Sequence, residues 1–292
     1  MLKSHELRGI FVPIVTPFEA NGELDLESFG TFAQHLITEG IHGLVVNGTT
    51  GESPAIESNE VLMLLAAARK AMESTRRIPI VLGTGTNSTA STLKRTEQAG
   101  LHGADAALVV VPYYNRPSQQ GIIEHFRSLA DVGLPVILYD IPHRTGVVLE
   151  LDTVRTIMEM DHMIGLKDST GSIKLVTELS RIGSKPVLCG DDELFYASLC
   201  CGAQGGMLAS ANVATNRFVR LYQHQMEDQT QEARHMFDDL LPLIRLLFTE
   251  PNPAPLKWLL AQQQQIKSDE LRLPMTRISS QLQQQLASIQ VR

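Results

Sequence analysis

The sequence predicts an α/β protein built as a (β/α)8 (TIM) barrel with a C-terminal helical extension. Three observations predict it. Eight short runs rich in Val, Ile and Leu recur along the first two-thirds of the 292-residue chain. Each is continuously apolar, which is how a strand buried on both faces of a parallel sheet reads, whereas a strand with one wet face alternates. Helix-like segments lie between them, so βα units repeat at roughly 20- to 36-residue intervals. A doubly wound open sheet is the alternative.

In chain order the strand candidates are IFVPIV (10–15), GLVVNG (43–48), PIVLGTG (79–85), DAALVVVPYY (105–114), PVILYDIP (135–142), MIGLKDS (163–169), PVLCGDD (186–192) and GGMLASAN (205–212). LESFGTFAQHLITEG, NEVLMLLAAARKAME and LDTVRTIMEM carry helical spacing between them. GIHG (40–43), GLHG (100–103) and GAQG (202–205) each fall where a helix ends and a strand begins, where glycine can take a left-handed cap. After GGMLASAN the composition turns to long Gln-rich amphipathic stretches broken by EPNPAP (250–255). The expected division is a barrel over 1–239 and a helical extension over 240–292 packed on it, not an independent domain.

The formal charge of −7 would repel polyphosphate and anionic lipid, so neither nucleic acid nor a membrane surface is an expected partner. Three cysteines without a CxxC pair suit a reducing compartment. MLKSHELRG holds no apolar run of the signal-peptide kind, so the expected location is the cytoplasm. The nine histidines show no metal-ligand spacing, and no catalytic metal is expected.

In a (β/α)8 barrel the chemistry sits on the loops after the strands. Lys167 follows Ile164, Gly165 and Leu166 in the sixth strand. Burial there strips an ammonium of its hydration and favours the neutral, nucleophilic amine. The plainer reading is a buried lysine paired with Asp168. Lys257, in APLKWLL, reads as a snorkelling surface or interface residue. GTTGES (48–53) can turn N–H groups and the Thr49 and Thr50 hydroxyls toward a carboxylate or phosphate, or be an ordinary βα turn. GTGTNS (83–88) lacks the third glycine of a dinucleotide loop. Tyr113, Tyr114 and Tyr139 fall at strand ends, where a phenol can relay a proton or simply pack. Arg144 can clamp a carboxylate with two parallel bonds. Asp191 and Asp192 in GDD read as a helix cap rather than a cation site.

Taken together, VTPF, GTTGES, GTGTNS, PYYNRPS, LYDIPHRTG, IGLKDSTG, GDD, SANV, EPNPAPLKW and LRLPMT resemble, in order, the dihydrodipicolinate synthase family. Its members are similar to N-acetylneuraminate lyase and other pyruvate-dependent class I aldolases. The resemblance implies that Lys167 forms an imine with pyruvate and that Thr49 and Thr50 hold the pyruvate carboxylate. It implies a proton relay of Tyr139, Thr49 and Tyr114, with Tyr114 reaching into a neighbouring site across a tight dimer of a homotetramer. Arg144 is then the clamp for the carboxylate of L-aspartate 4-semialdehyde, while Gly190 and Met207 line the pocket through backbone carbonyls. Thr49 and Arg144 match the synthases rather than the lyases, which usually carry Ser and no arginine at those positions. The implied product is 4-hydroxy-tetrahydrodipicolinate, on the route to diaminopimelate and lysine, made without an organic cofactor. A sister aldolase for another 2-oxo acid and a catalytically silent metabolite-binding barrel are the competing readings. Lysine-inhibited bacterial members resemble this chain at Ser53, Asn87 and Tyr113, but carry two histidines and a glutamate where it has Ser58, Val61 and Ser91. Weak or absent inhibition by L-lysine is the expectation.

Overall fold

The computed structural model describes residues 1–289. All eight predicted strands form: β1 (Gly9–Pro13), β2 (Gly43–Val46), β3 (Ile80–Gly83), β4 (Ala106–Val110), β5 (Val136–Asp140), β6 (Met163–Asp168), β7 (Val187–Cys189) and β8 (Gly205–Met207). They pair in sequence order as a closed barrel, parallel throughout the described ladders. The doubly wound alternative is thereby excluded. Nearly every strand residue is buried, which is why the runs are continuously apolar rather than alternating.

At the seam, the N–H of Gly9 bonds to Gln204 O (2.9 Å) and that of Leu208 to Phe11 O (3.2 Å). A Cβ on Gly205 would overlap the backbone of Gly9, so only glycine lets the last strand approach so closely.

Helices begin where short polar side chains can take up orphan N–H groups. The Asp25 carboxylate caps the helix Leu26–Thr38 by accepting from Ser28 N at 2.9 Å, and Ser88, Ser118 and Ser279 cap three others in the same way. The glycine pattern holds with one shift. Gly40 and Gly202 take positive φ, but in GLHG it is Gly103, because the helix Thr89–Leu101 runs through Gly100.

By packing, the chain falls into two compact units, one of Met1–Gly9 with Pro79–Met207, the other of Ile10–Ile78 with Leu208 onward. Phe126 and Phe195 are among the largest fully buried side chains of the first, and Phe11, Phe29, Phe32 and Phe218 of the second. The boundary expected at 239/240 falls inside the continuous helix Thr230–Leu247. The change to Gln-rich composition marks the exposed face of helices, not the end of one. Among the described residues no helix is long and apolar enough to cross a membrane, and no cluster of His, Cys, Asp or Glu could hold a metal ion.

Candidate active site

The last two residue pairs of the β5–β6 ladder are Tyr139 with Lys167 and Asp140 with Asp168. Because side chains alternate along a strand, each pair shares one face. On one face the Lys167 Nζ lies 4.1 Å from the centroid of the Tyr139 ring, with both residues buried. The carbonyl oxygens of Tyr139 and Asp140 are occupied by the N–H groups of Val111 (3.0 Å) and Ser169 (2.9 Å), so both strand ends are held.

On the other face two carboxyl groups are buried beside each other. Asp140 is 1 % exposed, and its Oδ1 has no hydrogen-bond partner. Burial first, and the neighbouring Asp168 second, push its carboxyl up to about 7. Burial likewise raises Asp168 and Asp191 above the ordinary carboxylate range. The lysine therefore does not pair with Asp168: the structure gives no ion pair between them, and Asp168 accepts instead from Thr170 N at 3.0 Å.

Gly190 follows β7, and its N–H bonds to Asp168 O at 2.7 Å. A Cβ there would overlap Ser169 Oγ and come within 2.7 Å of Lys167 Cε. Glycine thus leaves the lysine stem its room. Ser169 Oγ, buried and without a partner, borders the same space.

Arg144 sits in the single turn Pro142–Thr145 after β5, exposed and without an ion-pair partner among the described residues. Met207 closes β8 and is buried. Tyr114 is 89 % exposed and holds a left-handed backbone (φ 72°), so its own chain covers little of its ring. Asp191 occupies the N-cap position of the short 3-10 turn Asp192–Leu194.

The GTTGES loop belongs to the other unit and is pinned from several sides. Gly48 O accepts the N–H groups of Gly51 (3.0 Å) and Ser53 (3.3 Å), and Thr16 Oγ1 donates to Gly51 O at 2.7 Å. Thr49 is half-buried and Thr50 is buried, with Asn252 Nδ2 donating to Thr50 Oγ1 at 3.1 Å. Glu52, at φ 57°, turns its carboxylate onto Lys257 Nζ at 2.8 Å.

This corrects the expectation for Lys257, which is neither at the surface nor snorkelling. Its side chain is 0 % exposed, it donates to Thr16 O at 2.9 Å, and its Nζ lies 4.2 Å over the Phe18 ring. Burial lowers its pKa from the ordinary lysine value, and the Glu52 carboxylate opposes that shift. On the same ring sits Arg272, whose guanidinium bonds Glu60 Oε2 at 2.6 Å while its backbone N–H reaches Glu52 Oε2 at 3.2 Å. Asn252, Glu52 and Ser169 were not singled out from the sequence. A lone asparagine between prolines and a lone glutamate after glycine carry no local signal, since their partners lie more than 200 residues away.

The sequence model of the Dihydrodipicolinate synthetase family matches residues 6–291. The chain belongs to that family. A 4-hydroxy-tetrahydrodipicolinate synthase from Herminiimonas arsenicoxydans is 40% identical over 279 residues, covering 94% of both chains. The dihydrodipicolinate synthase of Thermotoga maritima superposes with TM-score 0.92 at 34% identity, covering 97% of each chain. A structure described as the first monomeric dihydrodipicolinate synthase variant also superposes at 0.92, with 33% identity over 97% of this chain and 96% of its own. Ser58, Val61 and Ser91, the departures from the lysine-inhibited pattern, stand respectively at the start of one helix, within its first turn, and in the first turn of another.

Proposed function

We propose that the protein condenses pyruvate with L-aspartate 4-semialdehyde to 4-hydroxy-tetrahydrodipicolinate. The observation that carries this reading is a buried lysine at the end of β6 stacked on a tyrosine at the end of β5, in a chain of the dihydrodipicolinate synthase family. The amine of Lys167 adds to the pyruvate ketone, and loss of water gives an imine. The protonated imine draws electrons from the methyl group, which loses a proton to form an enamine. The enamine carbon then attacks the aldehyde of the semialdehyde. The amino group of that substrate closes the ring onto the former ketone carbon and displaces Lys167. Tyr139, Thr49 and Tyr114 pass the protons, and no organic cofactor takes part.

Thr49 and Thr50 hold the pyruvate carboxylate, Gly190 and Met207 present backbone carbonyls, and Arg144 binds the carboxylate of the semialdehyde. The test is intact mass after borohydride reduction with pyruvate. One reduced pyruvate per chain is expected, and no label in active protein would overturn the imine. A sister aldolase would show the same label but prefer another aldehyde in competition assays.

Arg144 separates binding from chemistry. Arg144→Ala is expected to raise the semialdehyde KM by about tenfold or more while leaving trapping of pyruvate intact, because the two parallel charge-assisted bonds serve only the second substrate. Parallel loss of trapping would assign Arg144 to pyruvate or to the fold.

The exposed, left-handed Tyr114 suits a residue that completes a neighbour's site in the cytoplasmic homotetramer, a pair of tight dimers. Sedimentation alongside activity on dilution is expected to show turnover falling as dimers dissociate. A fully active monomer would contradict that role.

A further inference from the structure

Among the described residues the Thr50 hydroxyl receives a single side-chain hydrogen bond, from a residue 202 positions along the chain. Its residue is 3 % exposed, and its Oγ1 accepts an N–H of Asn252 at 3.1 Å. A hydroxyl accepts through its lone pairs and has one proton to give. No described residue accepts that proton, because the one side-chain hydrogen bond at Thr50 is the bond it receives. Asn252 in turn makes no other side-chain bond: its Oδ1 is buried and unpartnered. Thr50 is therefore the one side-chain partner of that amide among the described residues. Glu52, two residues on, is tied to Lys257 and to the backbone of Arg272, and Gly51 is tied to Thr16.

We propose that Asn252, in the C-terminal segment, is a positioning residue that sets Thr50 as a hydrogen-bond donor to the carboxylate of a 2-oxo acid. The inference rests on the reading of Thr50 as a carboxylate holder. With one lone pair engaged by Asn252 and no described residue accepting its proton, the hydroxyl has that proton to give to the ligand. An accepted hydrogen bond also polarises the O–H and strengthens the bond it donates. A threonine free to rotate would meet an anion with either face, and one face repels it. The consequence is selectivity for an anionic group at this position.

Pyruvate titration with borohydride trapping, read by intact mass, tests this. Asn252→Ala is expected to raise the pyruvate concentration for half-maximal trapping about five- to tenfold, with the semialdehyde KM little changed. Asn252→Asp keeps the shape but can only accept, so it draws the Thr50 proton to itself and brings a like charge toward the ligand. Its loss is expected to exceed that of alanine. In a Thr50→Val background, Asn252→Ala is expected to add less than about twofold, since a residue acting through that hydroxyl has nothing left to act on. Additive losses in this cycle, or wild-type pyruvate binding by Asn252→Asp, would overturn the inference. Wild-type protein that traps no pyruvate would overturn the underlying reading of the site instead.

Discussion

Lys167→Ala is expected to lower turnover about ten-thousand-fold or more and to abolish the borohydride-trapped adduct, because in the proposed mechanism every covalent step passes through that amine. The control is Lys167→Arg. A guanidinium keeps the cation and much of the reach, but it is not deprotonated in proteins and cannot attack a ketone. The arginine variant is expected to be as inactive as alanine while placing a cation near the Tyr139 ring, where the Lys167 Nζ sits at 4.1 Å. Substantial activity in Lys167→Arg would reduce the lysine to an electrostatic role. A label that survives on the alanine variant would move the nucleophile elsewhere.

Lys257→Met is expected to destabilise the protein by about 3–5 kcal/mol, because it leaves the Glu52 carboxylate buried without its cation. The side chains of the pair are 0 % and 1 % exposed, so water cannot take the lysine's place. At roughly 2–4 °C per kcal/mol for a chain of this size, thermal unfolding should drop by about 10 °C. Glu52→Gln combined with Lys257→Met is expected to recover much of that loss. A buried pair replaced as a whole is often nearly neutral, and a glutamine oxygen can still accept from Arg272 N. A melting temperature within a degree or two of wild type for Lys257→Met alone would show that the charge is dissipated by other means.

The contrast between the two lysines shows what was legible in the sequence. Lys167 stands out because it interrupts a short apolar run of strand type, and burial on both faces follows from that run alone. Lys257 opens a helix in equally apolar company, yet a helix offers a wet side, and nothing nearby in sequence announces a counter-ion. Its partner Glu52 lies 205 residues away. The strands were legible for the same local reason, and so was the placement of Tyr139 on β5 and of Arg144 just after it. The helix Thr230–Leu247 runs continuously through 239/240, a continuity that the Gln-rich composition after GGMLASAN does not announce. The partner of Thr50 was hidden because EPNPAP reads as turn chemistry, in which asparagine is commonplace.

The long separations around the GTTGES loop also have a meaning in time. Asn252, Lys257 and Arg272, which bond Thr50 and Glu52, are synthesised 202, 205 and 220 residues after their partners in the loop. At about 5–20 residues per second, the loop waits on the order of ten seconds or more for its anchors. Until then Thr50 and Glu52 lack the side chains that bond them, and a chain cut short before residue 252 never supplies them.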